Sequence, residues 1–366
     1  MNRLSNVLII FLCIFFTDCT NNTHTDNTQQ SFVSMDDYFE AKPIYPLKAQ
    51  KTNAQSEKIG NVMMMYFIGD HLVLGDLPTN YLYKVYDSTL TNFFEICKVG
   101  EGPDEFKFPT FLQCNNIDGK LFVAASNPGK LKYVELDWPS TISEKKVILA
   151  NPSLFSVDPS IQKSVYLKSI NSIVSAGIFP TRFRVYDSLG SIVSEQGEYP
   201  FREDFSKTSF GNLAMAFQGN FTTNDEGNRL AFATINSANL DFLSVKDQEV
   251  SIVKSHHITK PDFKSSNNEG ELSAAISTTN KMGILDIQSD DRFVYALYSG
   301  KDLETGLTKA FESDLIYVFN WSGDLICKLK LDMQISKFTI KKSENKIFSF
   351  VNKPSPEIVT YNIPKM

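Results

Sequence analysis

A glycine-rich stretch, four histidines, five cysteines and a few clustered carboxylates are the residues of this chain with chemical potential. CKVGEGPDEFKFPTF, residues 97–111, sets Gly100 and Gly102 one residue apart, as a phosphate loop does. Such a loop follows a strand and opens a helix, whose first amides hold the anion. Residues 93–99 read as a strand, but KFPTFLQCNN beyond them reads as extended chain. Pro103 removes an amide donor, and Asp104 and Glu105 repel phosphate. The stretch therefore reads as a linker between structural units. Gly100 and Gly102 permit a sharp turn, Phe106 wedges between units, and Pro109 precedes a strand where no ladder donor is lost. GEYPFREDF, residues 197–205, is a degenerate echo of it.

The histidines give no catalytic constellation. His24 lies in a polar leader and His71 in a hairpin, while the neighbours His256 and His257 point to opposite faces of a strand. No CxxC pair exists among Cys13, Cys19, Cys97, Cys114 and Cys327, which argues against a zinc knuckle or a thioredoxin-like site. Cys97 and Cys114 read as two buried thiols, with a bridge between them as the alternative. No GxSxG or SxxK motif offers a serine nucleophile. Asp290-Asp291-Arg292 and Asn345 fall at expected turns, which Asx side chains cap through their own backbone. Glu101, Asp104 and Glu105 are the candidates for a metal site near one end of the fold. Asp87-Ser88-Thr89 and Asp187-Ser188-Leu189 occupy equivalent turns and fit a short O-glycosylation sequon of some Gram-negative anaerobes. Turn chemistry alone also accounts for Asp-Ser there.

The elements that must position these residues are strands. Phe (29) and Tyr (14) outnumber Trp (2), and short alternating apolar runs recur with no helical period sustained for three turns. A net charge of -6 supplies no basic patch for nucleic acid. NVMMMYFIGDHLVLGD reads as strand, Gly69-Asp70 turn, strand, and the following residues add two more. Four strands in about forty residues is the size of a propeller blade. Third strands end at Tyr86-Asp87, Leu136-Asp137 and Tyr186-Asp187, fifty residues apart twice running. A fourth unit follows a long lead-in, Phe201 to Phe221. A fifth carries an inserted loop, Lys301 to Glu312, and a sixth has only three strands. KPIYPLKA, around Ile44 to Leu47, is the candidate to complete the sixth unit and close the ring. The expected fold is an all-β, six-bladed propeller of four-stranded antiparallel blades over residues 36–366, closed by an N-terminal strand.

Residues 1–19 read as a signal peptide: Arg3, an apolar run from Val7 to Phe16, then Cys19. Cys19 resembles the lipidated cysteine of a bacterial lipobox, although Asp18 stands where a small residue is usual. Residues 20–35 read as a flexible polar tether.

VGEGPDEFKFP (99–109), YALYSGK (295–301) and IYVFNWSGDLICKLKLD (316–332) resemble the TolB-like six-bladed propellers, a branch near the NHL propellers. The likeness runs from about residue 40 to the end. It implies the fold and a location in the Gram-negative cell envelope, where members are often lipoproteins. It brings no assigned activity. The expected function is a non-catalytic binding or scaffolding protein, a monomer that meets a protein, peptide or glycan through one ring face. It would touch the membrane through its lipid anchor only and need no cofactor. The alternative is a calcium-dependent propeller enzyme, such as a lactonase-like hydrolase or a glycan lyase.

Overall fold

The structure, a computed structural model, describes residues 33–54, 59–77, 80–100, 105, 121–127, 130–157, 160–247, 249–265, 274–352 and 355–366. Six sheets follow one another along the chain as blades, each built by antiparallel neighbours in sequence order. Blade 1 spans 61–98, blade 3 spans 161–196, blade 4 spans 219–257 and blade 5 spans 284–335. Blade 2 shows three strands within 121–157, and blade 6 has three from 337–362 plus one from the N-terminal side. An extra hairpin, Phe263–Ser265 with Ala274–Ile276, stands between blades 4 and 5. The third-strand ends at Tyr86, in blade 1, and Tyr186, in blade 3, fall where their spacing predicted. Lys130–Leu136 also ends at its expected residue, as the middle of the three described strands of blade 2.

The blades alternate apolar and polar residues, and the apolar faces meet between neighbours. Ile68, Val73 and Val85 of blade 1 pack with Leu136 and Trp138 of blade 2. Val165 and Phe183 of blade 3 meet Leu230 and Phe232 of blade 4. Similar clusters join blades 4 and 5, 5 and 6, and 6 and 1. Gly69, at φ 56°, makes the tight turn between the first two strands of blade 1. Cys97 also takes a positive φ, 59°, and lies buried as a free thiol in the cluster between blades 1 and 2, where burial pushes its pKa up. Cys327 is likewise free and buried, its thiol pushed up to about 11. Cys114 lies outside the described residues.

The closure of the ring departs from expectation in its choice of residues. Ile44–Leu47 does not pair with the last blade. It runs parallel to Leu325–Ile335 as a fifth strand on the outer edge of blade 5, with Lys328 N donating to the Pro43 carbonyl. Pro46 has no amide to donate, so this segment is suited to an outermost position with one pairing side. The clasp is made by the next residues, Gln50–Lys51, which pair antiparallel with Glu357–Asn362 and complete blade 6. Ahead of both, the one-turn helix Met35–Tyr38 is capped by Ser34 and buries Met35 completely among residues of blades 4 and 5. Asp36 accepts hydrogen bonds from the Tyr317 hydroxyl and the Lys328 ammonium. Phe39 lies edge-on to His256 at 4.9 Å and to Phe319 at 5.3 Å.

Candidate functional site

The first strand of each blade is its innermost, and these strands lie side by side around the axis: Ile161–Leu167, Gly219–Thr223, Ile284–Ser289, Lys337–Lys341 and Asn61–Ile68. At their C-terminal ends they frame a cavity of 380 Å³, the lower part of the range for small-ligand sites. Blade 1 contributes Tyr66, Phe67 and Asp70, blade 4 contributes Phe221 to Asp225, blade 5 contributes Gln288 and Ser289, and blade 6 contributes Thr339 to Ser343.

Local turn chemistry sets these side chains. The Asn224 side-chain oxygen accepts from the amides of Asn228 and Arg229, closing the blade 4 hairpin. Asp290 accepts from the amides of Arg292 and Phe293, as its place in a turn predicted. Asp291 then reaches across to blade 4 and accepts from Asp225 N at 3.1 Å. Asn345 takes the left-handed conformation after the short helix Lys342–Glu344. Ser289 Oγ donates to the Thr223 carbonyl at 2.7 Å and lies 2.7 Å from Thr222 Oγ1, tying blade 5 to blade 4 at the rim.

The charges of the mouth are matched. Lys341 is buried with its Nζ 2.6 Å from Glu344 and 3.5 Å from Asp70, and Lys342 pairs with Asp225. Lys341 and Lys346 both lower the Glu344 pKa by hydrogen bonding. Hydroxyls, amides, half-buried aromatic rings and the aliphatic Ile287 and Ile340 complete the lining. This lining can orient a polar ligand, but its carboxylates face lysines rather than one another. No group of three or more His, Cys, Asp or Glu that could hold a metal occurs among the described residues.

Of the residues singled out in the linker, Gly100 and Glu105 are described. Glu105 pairs with Lys98, at the end of blade 1's outermost strand, at 2.7 Å, and this hydrogen bond raises the Lys98 pKa. The same carboxylate lies over Gly100, where a Cβ would come 1.8 Å from Glu105 Oε2. A side chain at this position would have to displace the Glu105 carboxylate, and with it the contact to Lys98. Glu101, Gly102, Pro103, Asp104, Phe106, Pro109 and Cys19 lie outside the described residues.

His256 and His257 do point apart. His256 Nε2 lies 2.7 Å from the Gly323 carbonyl oxygen, and burial lowers its pKa. His257 Nε2 lies 3.1 Å from Asp241 Oδ1. The lead-in Phe201 to Phe221 folds on itself: Phe201, Phe205 and Phe210 pack on Tyr199, Leu213 and Phe217 together with Phe263 of the extra hairpin. In the inserted loop, Asp302 caps the turn Leu303–Thr305 and pairs with Lys281.

Two charged groups escaped sequence reading. Between blades 3 and 4, Arg182 and Asp241 are both buried, with Nε 3.5 Å from Oδ2, and Arg182 Nη1 donates to the Phe217 carbonyl. The guanidinium lies 4.6 Å from the Phe232 ring centre. Burial opposes the Asp241 charge, but His257, Arg182 and Ser255 outweigh it and hold the carboxyl below its usual range. Ser255, Asp241 and His257 are triad residue types without triad geometry. Ser255 Oγ and His257 Nε2 both contact Asp241 Oδ1, so no imidazole stands between serine and carboxylate. The second group is Lys163, Asp286 and Lys337, each on the first strand of its blade.

A ring of blades around a polar axis defines a β-propeller, and the sequence match supplies the family. The TolB-like 6-blade propeller-like family matches residues 48–343, and the chain belongs to it. Among solved structures it is similar to a Bacteroides fragilis protein described as exported, at 12% identity and a TM-score of 0.49, covering 88% of this chain and all of the other. It is also similar to BamB of Moraxella catarrhalis, at 7% identity and a TM-score of 0.37, covering 82% of this chain and 71% of that one. No curated protein matches the sequence. No helix among the described residues is long and apolar enough to cross a membrane.

Proposed function

We propose that this propeller is a non-catalytic recognition module of the Gram-negative cell envelope, which binds a protein, peptide or glycan at the axial mouth. Residues 1–19 act as its signal peptide, Cys19 carries the lipid, and the residues from 20 up to the Ser34 cap form the tether of a monomer; Met35, expected at the end of the tether, is instead buried among residues of blades 4 and 5. The observation that carries this reading is the mouth itself. Four blades converge on one cavity whose hydroxyls and amides face inward and whose carboxylates are engaged by lysines or backbone amides. Such a lining favours orientation of a polar partner over proton transfer or metal-assisted hydrolysis.

The test is retention of a partner by immobilised protein, from envelope extract or on a glycan array. Lys342→Glu together with Ser343→Trp, at two exposed positions of the mouth, should abolish it while the melting temperature stays within a few degrees. Failure of wild type in both formats, or full retention by the double variant, overturns the reading. Cys19→Ser should move the protein from the membrane fraction to the soluble fraction, and unchanged partitioning would remove the anchor.

A further inference from the structure

A second cavity, of 260 Å³, adjoins the mouth and runs outward from the axis along the seam where blade 6 meets blade 1. Each of the four strands of blade 6 contributes to it: Lys341 from the first, Lys346 and Phe348 from the second, Thr360 from the third and Lys51 from the clasp. Blade 1 supplies the facing wall with Phe67 and the turn at residues 88–90.

Phe67 and Lys341 line both cavities and form the ridge between them. The Lys341 ammonium lies 5.5 Å from the Phe67 ring centre. It contacts Asp70, which lines the mouth, at 3.5 Å and Glu344, which lines the seam, at 2.6 Å. Phe67 also packs edge-on to Phe348 at 4.7 Å, which carries the aromatic wall from the mouth into the seam. Shared walls make the two cavities one path from axis to rim.

The two compartments differ in charge. In the mouth, Lys341 and Lys342 are balanced by Asp70 and Asp225. In the seam, Lys51, Lys341 and Lys346 face a single acid, Glu344. Lys341 and Lys346 both bond that carboxylate, at 2.6 and 2.9 Å, while Lys51 is exposed and forms no ion pair among the described residues. An anionic group that enters the seam meets an excess of ammonium groups.

Hydroxyls and side-chain amides recur along the whole path, from Asn224 and Ser289 near the axis to Thr52, Asn53 and Ser88 at the rim. A peptide that adds as a strand takes its affinity from a free sheet edge. The strands of blade 6 are instead hydrogen-bonded to one another from Lys337–Lys341 out to Gln50–Lys51. The groove therefore offers side chains, and sugar rings match them: their hydroxyls suit the polar groups and their C–H side suits the Phe67 ring.

We propose that mouth and seam together bind an acidic oligosaccharide. A hydroxyl-rich unit sits at the axis, the chain crosses Phe67, and a carboxylate or sulfate further along is held by Lys51 and Lys346. This rests on the reading of the mouth as a recognition site and adds to it the ligand class, its direction and its second contact.

The test is retention of sugars of graded length by the immobilised full-length protein. Oligogalacturonates and sulfated chondroitin oligosaccharides are the acidic series, maltooligosaccharides the neutral one, and acidic peptides a fourth. Wild type should retain one acidic series, increasingly beyond the disaccharide, and the series retained tells carboxylate from sulfate. Lys51→Glu and Ser88→Trp, at exposed positions on opposite walls of the seam, should each weaken that binding about tenfold or more. Their melting temperatures show that both variants fold, and Ser88→Trp repeats the test without altering the clasp strand. Equal retention of the neutral series, retention of peptides alone, no gain with length, or unchanged affinity in both seam variants overturns the inference. The mouth reading stands apart from it: a partner lost by Lys342→Glu with Ser343→Trp but kept by both seam variants sinks the seam and leaves the mouth.

Discussion

The charges between blades 3 and 4 differ from those at the axial mouth in how deeply they are buried. Arg182 has a carboxylate, a carbonyl and a wall of aromatic rings around it, with its Nη2 left without a hydrogen bond, and Asp241 has three partners. Lys341 and Lys342 at the axial mouth instead meet Asp70, Glu344 and Asp225, whose side chains are partly exposed. A matched buried pair holds two blades in register. Pairs at a solvent-facing rim are screened and can exchange a partner for a ligand at little cost.

Breaking the matched group should have the largest effect. Asp241→Ala leaves Arg182 buried without its counter-charge and should cost about 3–5 kcal/mol in denaturant unfolding. A loss below about 1 kcal/mol would erase the contrast. Arg182→Met with Asp241→Leu removes both charges and should restore most of that loss. Because the Asp241 pKa is depressed in the fold, its contribution is present at neutral pH and is lost only as pH falls through the folded value.

Lys163→Met should behave in the opposite way, with stability at pH 7 equal to or above wild type. Here the sign follows from the lowered pKa, about 8 against 10.5. Between those values the unfolded chain binds more protons than the folded one, so wild-type stability should climb as pH rises through that window. Lys163→Met should flatten the climb. A smaller effect is expected for His257→Gln, which leaves Arg182 and Ser255 on Asp241 and should cost less than about 1 kcal/mol by thermal melting.

Much of the fold was legible because a blade is a local object. Alternation within each strand and Asp at the third-strand turns mark the repeat without knowledge of neighbours. The clasp was harder to read. Ile44–Leu47 carries the apolar signal but decorates blade 5, whereas Gln50 and Lys51 close the ring while exposed and polar. Their role comes from backbone pairing, which leaves no pattern in side chains. The charged groups were hidden for another reason. Arg182 and Asp241 are 59 residues apart in sequence, and only the stacking of two blades brings them together. Which face of Ile161–Leu167 meets the axis depends on the irregularity in register between Ile161 and Lys163. A one-residue slip there would turn every side chain beyond it to the other face of the strand.

The N-terminal strap also fixes the order in which the molecule meets mechanical load. A pull from residue 33 arrives first at Met35 in its socket, then at the Asp36–Lys328 contact and the parallel strand on blade 5. Only after those give way does tension reach Gln50–Lys51. The strap therefore works as a sacrificial fuse: a tugged chain sheds a fifth strand before its ring comes open.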